Sequence, residues 1–195
     1  PPGVRLALQP ALELLAGIPA VVYGFFGYVV LVKNFENWFE MPTGECVLVA
    51  GLILALMVLP FIASTAAEAF RSVSREVRDA AFSLGVNRSY VIYRILFKKA
   101  MPGLFAAIAL GLARALGETL AVMMLAGNSV EMPHSLFDRA QPITALLATE
   151  LGETAVGSEK YHALYTAGFF LMLVVLTLNC AIWFVKNRIF RSVHA

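Results

Sequence analysis

GLFAAIALGLARALGETLAVMMLAG, residues 103–127, is the stretch from which this chain is best read. It stays apolar for more than the roughly 20 residues needed to cross about 30 Å of hydrocarbon, which marks a transmembrane helix. Two charged residues, Arg114 and Glu118, stand inside it, four positions apart. A charge at that depth costs about 2.5–3.5 kcal/mol on insertion scales, so an arginine kept there points to a use. On a helix, positions i and i+4 lie one turn apart on the same face, about 6 Å along the axis, and the two side chains are expected to touch. Beside them runs a stripe of small residues, Gly103, Ala107, Gly111, Ala115 and Thr119. Such a stripe lets another helix approach closely, so the pair is expected to face protein and not lipid.

The rest of the chain has the same character. Of its 195 residues 59% are hydrophobic and 14% charged, with a mean hydropathy of +0.76, more apolar surface than a soluble domain this small can bury. The fold class is all-α and polytopic, with spans expected over about 11–32, 46–67, 103–127 and 163–185 in a single transmembrane domain covering 1–195. The loop 68–101 holds Arg71, Arg75, Arg78, Arg88, Arg94, Lys98 and Lys99, and the tail holds Lys186, Arg188 and Arg191. The segments 33–45 and 128–162 are mostly acidic, with Lys33, Arg139 and Lys160 as their basic residues. The positive-inside rule therefore puts the loop 68–101 and the C-terminus in the cytoplasm and both acidic segments outside. A net charge of +2 is too small to imply a nucleic-acid partner. The lipid bilayer is the partner that composition demands.

Local signals refine this map. The first span is interrupted by Ala16-Gly17-Ile18-Pro19 and then by Gly24 and Gly27, so no straight helix is expected throughout. The second carries Pro60, followed by Ser64 and Thr65, whose hydroxyls are expected to satisfy carbonyls that the proline frees. Trp38 and Phe39 with Met41-Pro42 read as an interfacial loop. Ile143, Leu146, Leu147 and Leu151 have helical spacing, which predicts a short helix on the outer surface over 142–153. Cys46 and Cys180 lie in apolar runs and read as two buried thiols. His134, His162 and His194 are too scattered for a metal cluster, and no cofactor is implied. There is no Gly-x-x-x-x-Gly-Lys-Ser/Thr loop, so the chain is not itself an ATPase, and no motif marks it as an enzyme. The opening Pro-Pro-Gly without methionine reads as the start of a fragment.

The cytoplasmic loop reads SREVRDAAFSLGVNRSYVIYRILFKKAMPG over residues 74–103. Asp79 to Leu84 favours a short helix, Gly85 with Asn87 a stop and turn, and Ser89 to Ala100 a second short helix before Pro102 opens the next span. Asp79-Ala80-Ala81, then Gly85 and, ten residues on, Ile95 resemble the EAA loop of permease subunits of ATP-binding-cassette (ABC) importers. Asp79 stands where that family usually has glutamate, keeping the charge with a shorter reach. The resemblance implies that Asp79, Ala80, Ala81 and Gly85 form a coupling helix that enters a groove on a cytoplasmic ATPase.

LAGIPAVVYGFFG over residues 15–27 and RALGETLAVMMLAGN over residues 114–128 narrow the resemblance further. They are similar to permeases of the phosphate-specific importer, the PstC/PstA family, and more to its PstC branch. That resemblance implies a six-helix ABC importer type I permease fold, with the first two spans absent from this chain. It also implies a transport role without catalysis, with Arg114 and Glu118 in the pathway of inorganic phosphate. The implied partners are a cytoplasmic ABC ATPase dimer, a homologous sister permease forming a heterodimer, and an extracytoplasmic phosphate-binding protein. The implied place is the plasma (inner) membrane of a bacterium or archaeon.

Arginine suits phosphate because its planar fork of donors matches the anion's oxygens and stays charged when partly desolvated. Two other readings remain open from the residues. One is a permease for another oxyanion, sulfate or molybdate. The other is a secondary transporter in which Glu118 carries protons.

Overall fold

Inside hydrocarbon every backbone N–H and C=O must find an internal partner, so apolar runs become helices. In a computed structural model the backbone of residues 2–194 is described, together with the side chains of residues 10–184 other than Arg75 and Arg78. Among the described residues no strand forms; one isolated bridge joins Gly127 and Ala140. Three helical stretches are long and apolar enough to cross a membrane: Val47–Arg71, Arg88–Leu116 and Glu159–Phe184. A fourth is a bent pair, Pro10–Gly17 with Ala20–Phe39, turning through 89° at its break.

The bend falls where Gly17, Ile18 and Pro19 interrupt the first apolar run. Helix α1 (Pro2–Gly17) stops there and α2 (Ala20–Phe26) restarts after Pro19. The Tyr23 hydroxyl donates to the Leu15 carbonyl at 2.8 Å, tying the two limbs across the turn. A π-helical turn, Gly27–Val32, then carries the chain into α3 (Lys33–Phe39). The region of Trp38 and Phe39, expected as a loop, is thus helical up to Phe39. Its aromatic rings pack together: Phe39 lies 5.3 Å from Phe35 and 5.1 Å from Phe137 of the outer segment.

Helix α4 (Val47–Arg71) runs through Pro60 without a break. The Ser64 and Thr65 hydroxyls donate to the Phe61 carbonyl, at 2.9 and 2.8 Å. They therefore bond one residue beyond the proline, whereas the carbonyl a proline leaves without its usual donor lies four residues before it. The first turn of α4 is closed from outside. Cys46 N donates to the Leu125 carbonyl at 3.1 Å, Val47 N to that of Asp138 at 3.0 Å, and Leu48 N to that of Leu136 at 2.8 Å. These bonds satisfy donors that a helix N-terminus leaves unpaired. Arg139 fixes the segment that supplies them, bonding Glu45 at 3.2 Å and the Gly127 carbonyl at 2.7 Å.

After α5 (Arg75–Ser83) and a turn, α6 (Arg88–Tyr90), a π-helical turn (Val91–Leu96) and α7 (Phe97–Leu116) form one continuous stretch. The sequence predicts a separate short helix ending before Pro102. Instead Pro102 lies buried inside α7. The expected small-residue stripe does face α4. Ala107 is wholly buried, and a Cβ on Gly111 would overlap Ile62 and come within 3.3 Å of Val58. Gly24 plays the same part between α2 and α8 (Leu120–Leu125), and Gly27 between the π-helical turn and α4. A Cβ at Gly24 would meet Met124 Sδ at 2.8 Å, and one at Gly27 would meet Ile53 at 2.7 Å. Tyr23, Val49, Ile53, Met57 and Leu125 form the centre of the resulting core.

The short helix expected over 142–153 forms as α9 (Ile143–Glu150), and α10 (Glu159–His194) packs on α7 and α9. The cysteines part company: Cys46 is fully buried, while Cys180 is exposed on α10. An apolar run buries its side chains only where a neighbour covers them, and the described part of α10 presents Phe169, Phe170, Leu176 and Phe184 outward.

Candidate functional site

Arg114 is in the last turn of α7, half-buried, at the level of Phe61 near the middle of α4. Its guanidinium carbon stands 5.1 Å from the centre of the Phe61 ring. A cation over an aromatic face is attracted by the ring quadrupole, more so away from water. Among the described residues the guanidinium makes no ion pair and no hydrogen bond, so its N–H edges carry unused donor capacity.

Glu118 makes no ion pair with it. The helix ends at Leu116, Gly117 closes it with φ −88° and ψ −4°, and Thr119 leaves helical geometry at φ −120°. The run read as one helix over 103–127 is therefore two, α7 and α8, with Glu118 in the break. The expected i to i+4 contact is lost because that spacing brings side chains together only on an unbroken helix. The Glu118 carboxylate instead turns forward and accepts from Ala121 N at 3.2 Å, pairing one of the free donors of α8. Its backbone carbonyl accepts from Thr144 Oγ1 at 2.8 Å.

Glu118 borders an open, mainly apolar groove of about 770 Å³ between α4 and the outer segment. Ala50, Gly51 and Leu54 of α4 form one wall, and Pro142 and Thr144 contribute to another. Arg114 is not among its lining residues. Of the two charged residues, Glu118 alone lines this groove. The break has a sequence signal that periodicity alone passes over: a glycine, then a carboxylate and a hydroxyl, the residue types that stop one helix and cap the next.

In the loop expected to couple to an ATPase, α5 carries Asp79 and Ala80 exposed and Ala81 buried. Its end is set by Gly85, which adopts φ +70°, a left-handed conformation costly for residues with a Cβ. Gly85 N donates to the Phe82 carbonyl at 3.0 Å and Leu84 N to that of Ala80 at 3.3 Å. Asn87 then caps the long helix, accepting from Ser89 N at 3.1 Å. The outcome is an exposed helix with an apolar tip: Leu84 is 80% exposed and Phe82 41%. Among the described residues no cluster of His, Cys, Asp and Glu could hold a metal ion.

Comparison with known proteins gives this arrangement its family. Residues 3–192 match the family described as "binding-protein-dependent transport system inner membrane component". A probable ABC transporter permease protein, YqgH of Bacillus subtilis, is 38% identical over 184 residues, 94% of this chain and 60% of its own length. The phosphate transport system permease protein PstC of Xylella fastidiosa is 35% identical, with 89% of this chain and 59% of the relative covered. The probable PstC of Methanocaldococcus jannaschii is 30% identical, with 90% and 61% covered. The chain spans about 60% of the length of these relatives. No solved structure matches. With its all-helical architecture and three or more apolar spans, this is a multi-pass plasma-membrane protein that belongs to the inner-membrane permeases of binding-protein-dependent transport systems.

Proposed function

We propose that the protein forms part of the path by which inorganic phosphate crosses the membrane in an ATP-driven importer. In this reading a sister permease completes the path, a cytoplasmic ATPase dimer supplies the energy, and an outer binding protein delivers the anion. The observation that carries it is Arg114, a permanent cation in the last turn of the apolar span Arg88–Leu116 whose N–H donors are unpaired among the described residues. An unused charge there is costly, and the guanidinium fork fits phosphate oxygens. Permeases named for phosphate among the relatives support the choice of anion.

The geometry refines the roles. Phe61, not Glu118, supports the guanidinium. Glu118 stays with α8, and any motion of the break between α7 and α8 changes its distance from Arg114. Phosphate bound at Arg114 is loosened when the carboxylate approaches, because the two anions then compete for one cation. A permanently isolated arginine would hold the anion too tightly to release it.

On the cytoplasmic side, Asp79, Ala80 and the exposed tip at Phe82 and Leu84 seat in the ATPase, and Gly85 fixes the turn that presents them. Uptake of labelled phosphate into vesicles bearing the complete transporter tests the reading. Uptake should require ATP, survive collapse of the proton gradient, and yield to unlabelled phosphate more than to sulfate or molybdate. Strong competition by sulfate or molybdate would assign another oxyanion, and dependence on the proton gradient would assign Glu118 to proton transfer.

A further inference from the structure

We infer that Thr144, at the start of the outer helix α9, is a positioning residue for the break between α7 and α8, and so for Glu118; its role in transport rests on the pathway reading above. A helix that stops within a membrane leaves carbonyls without their usual i+4 donors. At this break Gly117 N bonds the Ala113 and Arg114 carbonyls, at 3.3 and 3.2 Å, and Glu118 N bonds Ala115 at 3.2 Å. The first bond of α8 runs from Met123 N to the Thr119 carbonyl at 2.9 Å. The Glu118 carbonyl thus falls between the two ladders, and its donor comes from another element: Thr144 Oγ1 at 2.8 Å.

Glu118 is therefore held at two points. Its carboxylate is tied forward to α8 through Ala121 N at 3.2 Å, and its backbone is tied across the groove to α9. The second tie joins segments 26 residues apart and is a direct polar link between the outer segment and the break. Ala145, next to Thr144, is fully buried, so the start of α9 is seated rather than loose. The outer segment is anchored in turn by Arg139 to Glu45 and to the Gly127 carbonyl. A displacement of the outer segment is in this way passed to the Glu118 backbone through one hydroxyl.

The test uses the complete natural chain in its assembled transporter, with Thr144→Val, which removes the donor at nearly constant shape, and Thr144→Ser, which keeps it. Amide hydrogen exchange over 117–125 and ATP-driven phosphate uptake are measured on the same preparations. Thr144→Val should raise exchange in that segment at least several-fold and lower the maximal uptake rate several-fold, with half-saturation little changed. Thr144→Ser should restore both. Unchanged exchange in Thr144→Val, unchanged uptake despite faster exchange, or failure of Thr144→Ser to restore either would overturn the inference. If the unmodified transporter moves no phosphate with ATP, the pathway reading fails by itself, and the exchange data still decide whether Thr144 holds the break.

Discussion

The guanidinium of Arg114 and the ring of Phe61 face one another across α7 and α4, 5.1 Å from carbon to ring centre. A cation over a ring gains about 0.5–1 kcal/mol when exposed and about 2 or more when desolvated. Phe61→Leu should therefore alter the resting position of the arginine and reduce phosphate uptake by roughly 2- to 30-fold, given tenfold per 1.4 kcal/mol. Phe61→Tyr keeps a ring face and should stay near the parent rate. Initial uptake rates in vesicles separate them; equal rates for the leucine and parent proteins would remove the ring from the account.

Glu118 has two separable properties, an acceptor oxygen for Ala121 N and a negative charge. Glu118→Gln keeps the first and loses the second, so the complex should unfold near the parent temperature while turnover slows. Glu118→Ala loses both and should also cost about 0.5–2 kcal/mol, the usual worth of a helix-capping side chain. Thermal unfolding of the purified complex beside its uptake rate checks this. An unchanged turnover in Glu118→Gln takes the charge out of the mechanism.

At Gly85 the constraint is the backbone alone: φ is +70° and an added Cβ meets nothing within 4 Å. A β-carbon in that conformation costs about 1–2 kcal/mol, and asparagine tolerates it best. Gly85→Val should loosen the cytoplasmic turn, weaken retention of the ATPase and raise the ATP hydrolysed per phosphate moved. Gly85→Asn should do so least. Full, tightly coupled transport by the valine protein would argue against this turn as the ATPase contact.

Packing of α4 on α7 is tested at Gly111, where a Cβ would overlap Ile62. Gly111→Leu should destabilise by about 1–3 kcal/mol, the usual cost of overfilling a packed contact. Gly51 is the control: nothing lies within 4 Å of a Cβ built there, and alanine should be neutral or gain up to about 1 kcal/mol in helix propensity. Thermal unfolding of the two proteins gives the comparison.

How far these relationships are legible in the sequence depends on their range. Charge asymmetry, apolar runs and the close-approach stripe are local properties, and a close helix contact at Ala107 and Gly111 follows from spacing, although the identity of the partner, α4, does not. The bend at Gly17 to Pro19 is legible for the same reason, although its angle is not. Misreadings occur where a local signal competes with a neighbour. Pro102 reads as a helix start, yet the helix passes through it, because packing on α4 decides the path. Gly117 reads as one more position in a continuous span over 103–127, yet it ends α7 and leaves Glu118 outside that helix. Phe61 and Thr144, the partners that the two site residues take, lie on other helices, and no periodicity within residues 103–127 reaches them.

The most direct measurement is ATP-driven uptake of labelled phosphate by vesicles carrying the complete transporter with Arg114→Ala. The account predicts that uptake is abolished while the complex remains assembled and the ATPase remains bound. Normal phosphate uptake by that variant would contradict it.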